Sequence, residues 1–335
     1  MGLEKILAAM IFIAATIFYG GCGDKNQNPQ ELRNVSYDTT RELYAAYNEK
    51  FREHWHELGN GTVTLIQSHG GSSTQSRAVI DGVQADVVTL ALSYDVTAIK
   101  NAGLIRGGWR KEFPDNSSPY TSTIVFLVRS GNPKNIRDWD DLIRSDVKIV
   151  APNPKTSGGA KWAYLAAWEF ARRRFGDDAL IRDFMRKIFA NVVSLDDGAR
   201  GATKTFHGGT GDILIAWENE ALSAKKNLPD ACDIVTPSLS ILAEPSVAIV
   251  DAIVDADGTR KLAEEYLRYL YSPTGQEIAA QNFYRPRDST VLAAYADVFK
   301  PLELFTVDEA FGSWVKVYDE HFADGATFDK IIGTP

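Results

Sequence analysis

Short apolar runs alternate along this chain with segments whose apolar residues recur every three or four positions. The joints between them are rich in Gly, Ser and Asp. Runs at 35–37, 63–66, 85–91, 123–129, 147–151, 211–217 and 247–254 have the length and the bounding turn residues of strands. Helical spacing follows at 43–51, where Leu43, Tyr44, Tyr47 and Phe51 share a face, and again through 80 and at 95–102, 139–143, 162–174, 258–271 and 308–322. Thr39 and Glu42 have capping-box spacing, and Ser272-Pro273 reads as a cap followed by a first-turn proline. The alternation predicts an α/β protein with a largely parallel sheet. There is no fixed-period repeat.

The joint at 147–174 carries the most specific chemistry. The strand VKIVA meets Pro152 and Pro154, which cannot donate to a sheet ladder, and NPKTSGGAKW then leads into a helix that ends in Arg172–Arg174. The first N–H groups of a helix have no intrahelical acceptor and carry partial positive charge, so this end can hold an oxyanion. Gly158 and Gly159 would let a ligand approach those groups, and Ser157 either caps the helix or donates its hydroxyl. Asp38 stands at a second strand-to-helix joint, where helix capping is its alternative role. QSHGGSS at 67–73 and DDGARG at 196–201 form two further joints. Trp217 ends an apolar strand, a place that suits a core tryptophan equally well.

The chain has 335 residues, enough for two domains. It is 44% hydrophobic and 24% charged, as in soluble globular proteins. A formal net charge of −8 without any Lys/Arg run argues against a nucleic-acid surface. The cysteines, Cys22 and Cys232, form no CxxC or Cys/His cluster, so neither a metal nor another cofactor is expected. Residues 6–18 are apolar after Lys5 and lead to Tyr19-Gly20-Gly21-Cys22, an export signal too short to span a membrane comfortably. Its end is similar to a lipobox, with Tyr19 where leucine is usual, which makes Cys22 a candidate lipid attachment site. Cys232 would then have no internal disulfide partner.

No G-x-S-x-G turn accompanies His69, the 54–57 stretch lacks metalloprotease spacing, and neither a phosphate loop nor a dinucleotide fingerprint is present. The chain is therefore expected not to be an enzyme. A secreted sulfate or phosphate ester hydrolase is the alternative from another class.

Seven blocks, VSYDTTRELY (35–44), QSHGGSS (67–73), YTSTIVFLVRSGNPK (120–134), NPKTSGGAKW (153–162), DDGARGAT (196–203), ILIAWENEAL (213–222) and LYSPTGQEIAAQNFYRPRD (270–288), occur in one order. From about residue 32 onward the chain closely resembles the periplasmic sulfate-binding proteins of bacterial ABC transporters. The resemblance implies a two-lobe, type II periplasmic-binding-protein-like fold with a hinged cleft. The implied segments are a signal at 1–21, a tether at 22–31, one lobe from 32–119 with 246–335, and a second from 120–245. It further implies a monomeric periplasmic receptor, free or anchored through Cys22, that delivers sulfate to an ABC permease. A thiosulfate-preferring relative is the alternative within the class.

Carried over by position, the resemblance implies backbone N–H donation from Asp38, Ser72, Gly158 or Gly159 and Ala199, together with the Ser157 hydroxyl and the Trp217 indole N–H. Ala199 has no side-chain chemistry that a pattern could select. Lys161 stands where the family usually has arginine. Arg77, Arg129 and Arg200 are expected to be solvated or structural, because the family binds without a direct ion pair. Sulfate near neutral pH carries no proton, whereas hydrogen phosphate carries one and needs an acceptor. A pocket of donors alone therefore favours sulfate, provided the Asp38 carboxylate turns away from the cleft.

Overall fold

The computed structural model describes residues 30–333, so the signal, the tether as far as residue 29 and Cys22 lie outside the described residues. The first sheet is built from β1 (Gln30–Tyr37), followed by the short turn Asp38–Thr40 and helix α1 (Arg41–Glu57). Next come β2 (Val63–Gly70), α2 (Ser72–Ile80), β3 (Val87–Leu90) and α3 (Ser93–Asn101). β1 lies between β2 and β3 and runs parallel to both. β3 is buried on both faces, which is why it reads as a near-continuous apolar run, broken only by Thr89, whose hydroxyl donates to Asn34 Oδ1 at 3.0 Å.

The second sheet contains β4 (Ile124–Arg129), β5 (Ile149–Pro152), β6 (Val192–Asp196), β7 (Ile213–Trp217) and β8 (Cys232–Val235), with α4 (Gly158–Phe175) and α5 (Ala199–His207) between them. Its spatial order is β6-β5-β7-β4-β8. The chain then returns to the first sheet as β9 (Ser246–Ile249), beside β3. The architecture is the expected two-lobed α/β fold, but the sheets are mixed. β5 is parallel to both neighbours, while β4 is antiparallel to β7 and β8, and β9 is antiparallel to β3. β4 and β9 are entered from the other sheet, with no crossover helix to hold them parallel.

Some local expectations give way to stronger contacts. The run at 247–254 splits into β9 and the helix Asp251–Asp257, whose buried Val254 lies one turn beyond Val250. The helix expected at 308–322 is broken at Gly312, where φ is 84°, and restarts as Trp314–Val317 under the Ser313 hydroxyl cap. Thr39 forms no capping box; its hydroxyl pairs with the Tyr284 hydroxyl at 2.8 Å, and α1 begins at Arg41. Ser272 does cap, accepting from Gly275 N at 3.0 Å. β5 ends at Pro152, its last residue, which lies opposite Asp196.

Among the described residues, three apolar clusters support the layers. One lies on the far face of the first sheet around Val88, Leu90 and Ala248, and one on the far face of the second around Leu127, Leu214 and Phe206. The largest joins α1, α4 and the inner faces of both sheets. The C-terminal segment, expected with the first lobe, has much of its packing on α4. Tyr164 and Trp168 contact His321, and Lys155 donates to Asp329 at 2.8 Å.

Phe126 is fully buried in β4, with its ring edge-on to Trp139 at 4.7 Å. Phe126→Ala is expected to cost about 3–5 kcal/mol in urea unfolding, from lost burial and the cavity left behind. Val193→Ala, on the exposed side of the edge strand β6, should change stability by less than about 0.5 kcal/mol.

Candidate functional site

All seven residues expected at the site lie where strands of the two sheets end. Asp38 follows β1, Ser72 opens α2 after β2, Ser157, Gly158 and Gly159 open α4 after β5, Ala199 opens α5 after β6, and Trp217 closes β7. Carboxyl ends of strands in open α/β sheets leave helix N-termini pointing into a shared crevice. Here the two sets of ends face and touch each other.

Glycines set the closeness of that approach. A β-carbon on Gly158 would lie 2.8 Å from Ala91 Cβ and 3.0 Å from Ser72 Cβ, so α4 and α2 meet end to end. One on Gly159 would lie 2.5 Å from both Trp217 Nε1 and the Tyr37 hydroxyl. Gly198, just before Ala199, leaves room for Asp38, whose Oδ2 would be 2.8 Å from an added β-carbon. Any larger residue at 159 would fill the point on which two polar side-chain atoms converge.

Ser157 resolves the two roles open to it. It occupies the N-cap position of α4, yet its hydroxyl makes no cap hydrogen bond, and it is buried without a partner among the described residues. Trp217 Nε1 and the Tyr37 hydroxyl are also buried and unpartnered. Ser72 differs: its hydroxyl donates to Asp95 and accepts from Ala91 N at 3.0 Å, so the backbone N–H is what it leaves for a ligand. The first-turn N–H groups of α2, α4 and α5 have no intrahelical acceptors. The set is therefore rich in donors, supplied from both sheets.

Asp38 departs from expectation. Its carboxylate does not turn away but reaches across the cleft to the start of α5, where Oδ2 accepts from Arg200 N at 3.4 Å and Oδ1 is buried without a partner. The partial positive charge at that helix end is the physical reason. Burial pushes the Asp38 carboxyl up to about 6, against the opposing pull of Arg200. Burial likewise raises Glu220 to about 7, again opposed by Arg200.

The Arg200 guanidinium donates to both Glu42 oxygens, at 2.9 and 2.8 Å, and to Glu220 Oε1 at 3.2 Å. It is structural, as expected, and it links the two sheets. Arg129 donates to the Gly211 and Thr210 carbonyls over the Phe206 ring, while Arg77 is exposed. His69, expected in a loop, lies in β2 opposite Ser36, with Nδ1 buried.

Two contacts at the site were not read from the sequence. Buried Lys161 Nζ donates to Ser73 Oγ at 2.7 Å across the cleft, and Ser73 in turn donates to buried Asp95 at 3.1 Å. Burial lowers the Lys161 ammonium and raises the Asp95 carboxyl. Tyr37 is the other, since nothing in the pattern separates it from the core tyrosines. A further bridge runs from Trp162 Nε1 to the Ala91 carbonyl at 3.0 Å.

Residues 32–285 match the model of a family described as bacterial extracellular solute-binding protein. The chain is 58% identical to the sulfate-binding protein of Escherichia coli over 334 residues, covering 99% of this chain and 98% of that one. It is 43% identical to the thiosulfate-binding protein of Pseudomonas aeruginosa, over 98% and 99% of the two chains. The solved structure of the sulfate-binding protein of Mycobacterium tuberculosis superposes with a TM-score of 0.79 at 32% identity, covering 88% of this chain and 99% of that one. The chain belongs to the bacterial extracellular solute-binding protein family.

Proposed function

We propose that this protein is an exported receptor that closes its two lobes on sulfate and presents the closed form to an ABC permease. The observation that carries the reading is the convergence, from opposite sheets, of buried and unpartnered polar groups with helix N-termini: Ser157 Oγ and Trp217 Nε1 beside the first N–H groups of α2, α4 and α5. Such a set is costly to bury alone and is satisfied by an anion that accepts at every oxygen. Asp38, Ser72, Gly158, Gly159 and Ala199 would donate through backbone N–H, and Ser157 and Trp217 through side chains. Thiosulfate, which differs from sulfate by one sulfur atom, is the second ligand that the donor set fits.

The relatives named above are binding proteins, and we read this chain as one too, not as an ester hydrolase. The lobes divide, in this reading, near residues 120 and 245, with the C-terminal segment strapped back over α4. Family membership implies an exported periplasmic protein. Lipid attachment at Cys22, which lies outside the described residues, and a monomeric state extend that reading.

Calorimetric titration of the purified protein tests the site. Ser157→Ala is expected to weaken sulfate binding by about 1–2 kcal/mol, as for one lost hydrogen bond to a charged group. Gly159→Ala is expected to abolish binding, because the added carbon occupies the point between Trp217 and Tyr37. Unchanged affinity in both variants would remove the start of α4 from the site.

The interlobe carboxyls give a pH signature. Folded-state values of about 6 for Asp38 and about 7 for Glu220 are raised above the ordinary range. The stability tied to each is therefore fully present below its unfolded value, and it is lost as pH rises through about 6 and about 7. Glu220→Gln removes one of these losses. Its Tm relative to wild type should become more positive as pH rises from about 4.5 to about 7 in sulfate-free thermal unfolding and level off above that; a flat or falling difference across that window would contradict the assignment.

A further inference from the structure

The C-terminal segment, residues 306–333, is strapped to the second lobe. Trp314 meets Trp162 of α4 edge-on with ring centroids 4.6 Å apart, and His321 and Phe322 lie against Tyr164. The Lys155 ammonium donates to the Phe322 and Ala323 carbonyls at 3.0 and 3.3 Å. The strap also meets the first lobe. The helix Trp314–Val317 lies beside α3, and Tyr318, which opens a single π-helical turn (Tyr318–Phe322), stacks on Tyr94 of α3. The ring centroids are 4.1 Å apart and the planes 13° from parallel. α3 is fixed to the first sheet through Val96 and Ile99, buried in the cluster on that sheet's far face, so the two tyrosines are carried by different lobes. Both are half-buried, and with Ser73, Lys155 and Lys161 they line a cavity of about 320 Å³ between the lobes, alongside the cross-cleft bond from Lys161 to Ser73.

We propose that the Tyr94–Tyr318 stack is a clasp between the first lobe and the C-terminal strap, made when the lobes close and broken when they open, so that it slows release of the bound anion without touching it. This rests on the sulfate reading above and adds a pair of positioning residues to it. Neither tyrosine belongs to the donor set at the helix starts. Their contact stabilises the closed state alone, and a ligand that binds the closed state draws on that population, so the stack enters the apparent affinity directly. The rings make the contact, and phenylalanine at either position keeps it.

The test is sulfate titration, stopped-flow release and thermal unfolding of wild type, Tyr94→Ala, Tyr318→Ala, the double variant and Tyr318→Phe. Either alanine variant is expected to bind sulfate about three- to tenfold more weakly, as for one lost aromatic pair, mainly through faster release. The double variant should be little worse than the singles, because all three lose the same contact. Tyr318→Phe should stay within about twofold of wild type, because the rings still stack. Thermal unfolding separates a clasp from ordinary packing: the alanine variants should lose more Tm in saturating sulfate than in its absence. Equal losses in the two conditions, or release at the wild-type rate, overturn the clasp and leave the sulfate reading standing. Failure of the wild type to bind sulfate overturns that reading and this inference with it.

Discussion

A buried hydrogen-bond donor without an acceptor costs free energy, and this protein gathers several of them where two sheets meet. Ser157 Oγ and Trp217 Nε1 are side-chain cases, and the openings of α2, α4 and α5 add backbone N–H groups that helix geometry cannot satisfy. Much of the fold serves that juxtaposition. β5 and β7 are buried along their whole length, and Gly158, Gly159 and Gly198 allow backbone to approach where a β-carbon would collide. A dianion supplies acceptors on every side, so the proposed set of uncharged donors holds it without a countercharge, and hydrogen phosphate's proton goes unanswered only if the Asp38 carboxylate stays on the start of α5.

The donors come from both lobes, so ligand affinity and lobe closure are one quantity. A ligand shifts a conformational balance only by its preference for one state, and a sulfate held from both sides prefers the closed one. Protein contacts reinforce the same arrangement: Arg200 reaches Glu42, Lys161 reaches Ser73, and Trp162 reaches the Ala91 carbonyl. None of these groups needs to touch the ligand. The lysine at 161 fills its place as a buried cross-cleft donor, with Asp95 beyond Ser73 as the nearby negative charge.

Much of this was legible in the sequence because the relevant signals are local. Strand, glycine-rich turn and helix at 147–174 follow from short-range rules, and the helix start at Gly158 and the Ser272 cap are where those rules put them. Trp217 shows the limit: by pattern it is a core residue at a strand end, and only the resemblance of neighbouring blocks gave it a ligand role. Ala199 is a stronger case, since a backbone donor leaves no trace in its side chain. The direction of the Asp38 carboxylate was misread because its partner, the start of α5, is 162 residues away. Thr39 abandoned its capping box for the same reason, drawn to Tyr284. The mixed strand directions were invisible because a strand's polarity is set by where the chain comes from, not by its own residues.

The central claim is that the cleft is selective for an anion that carries no proton, and Asp38 Oδ1, a buried acceptor without a partner, is the atom most able to break it. Titration of the purified protein with sulfate and with phosphate at neutral pH measures this directly. The account predicts tight one-to-one binding of sulfate and no heat from phosphate. Phosphate binding of comparable strength, lost in Asp38→Asn, would show that an acceptor faces the ligand and would contradict it.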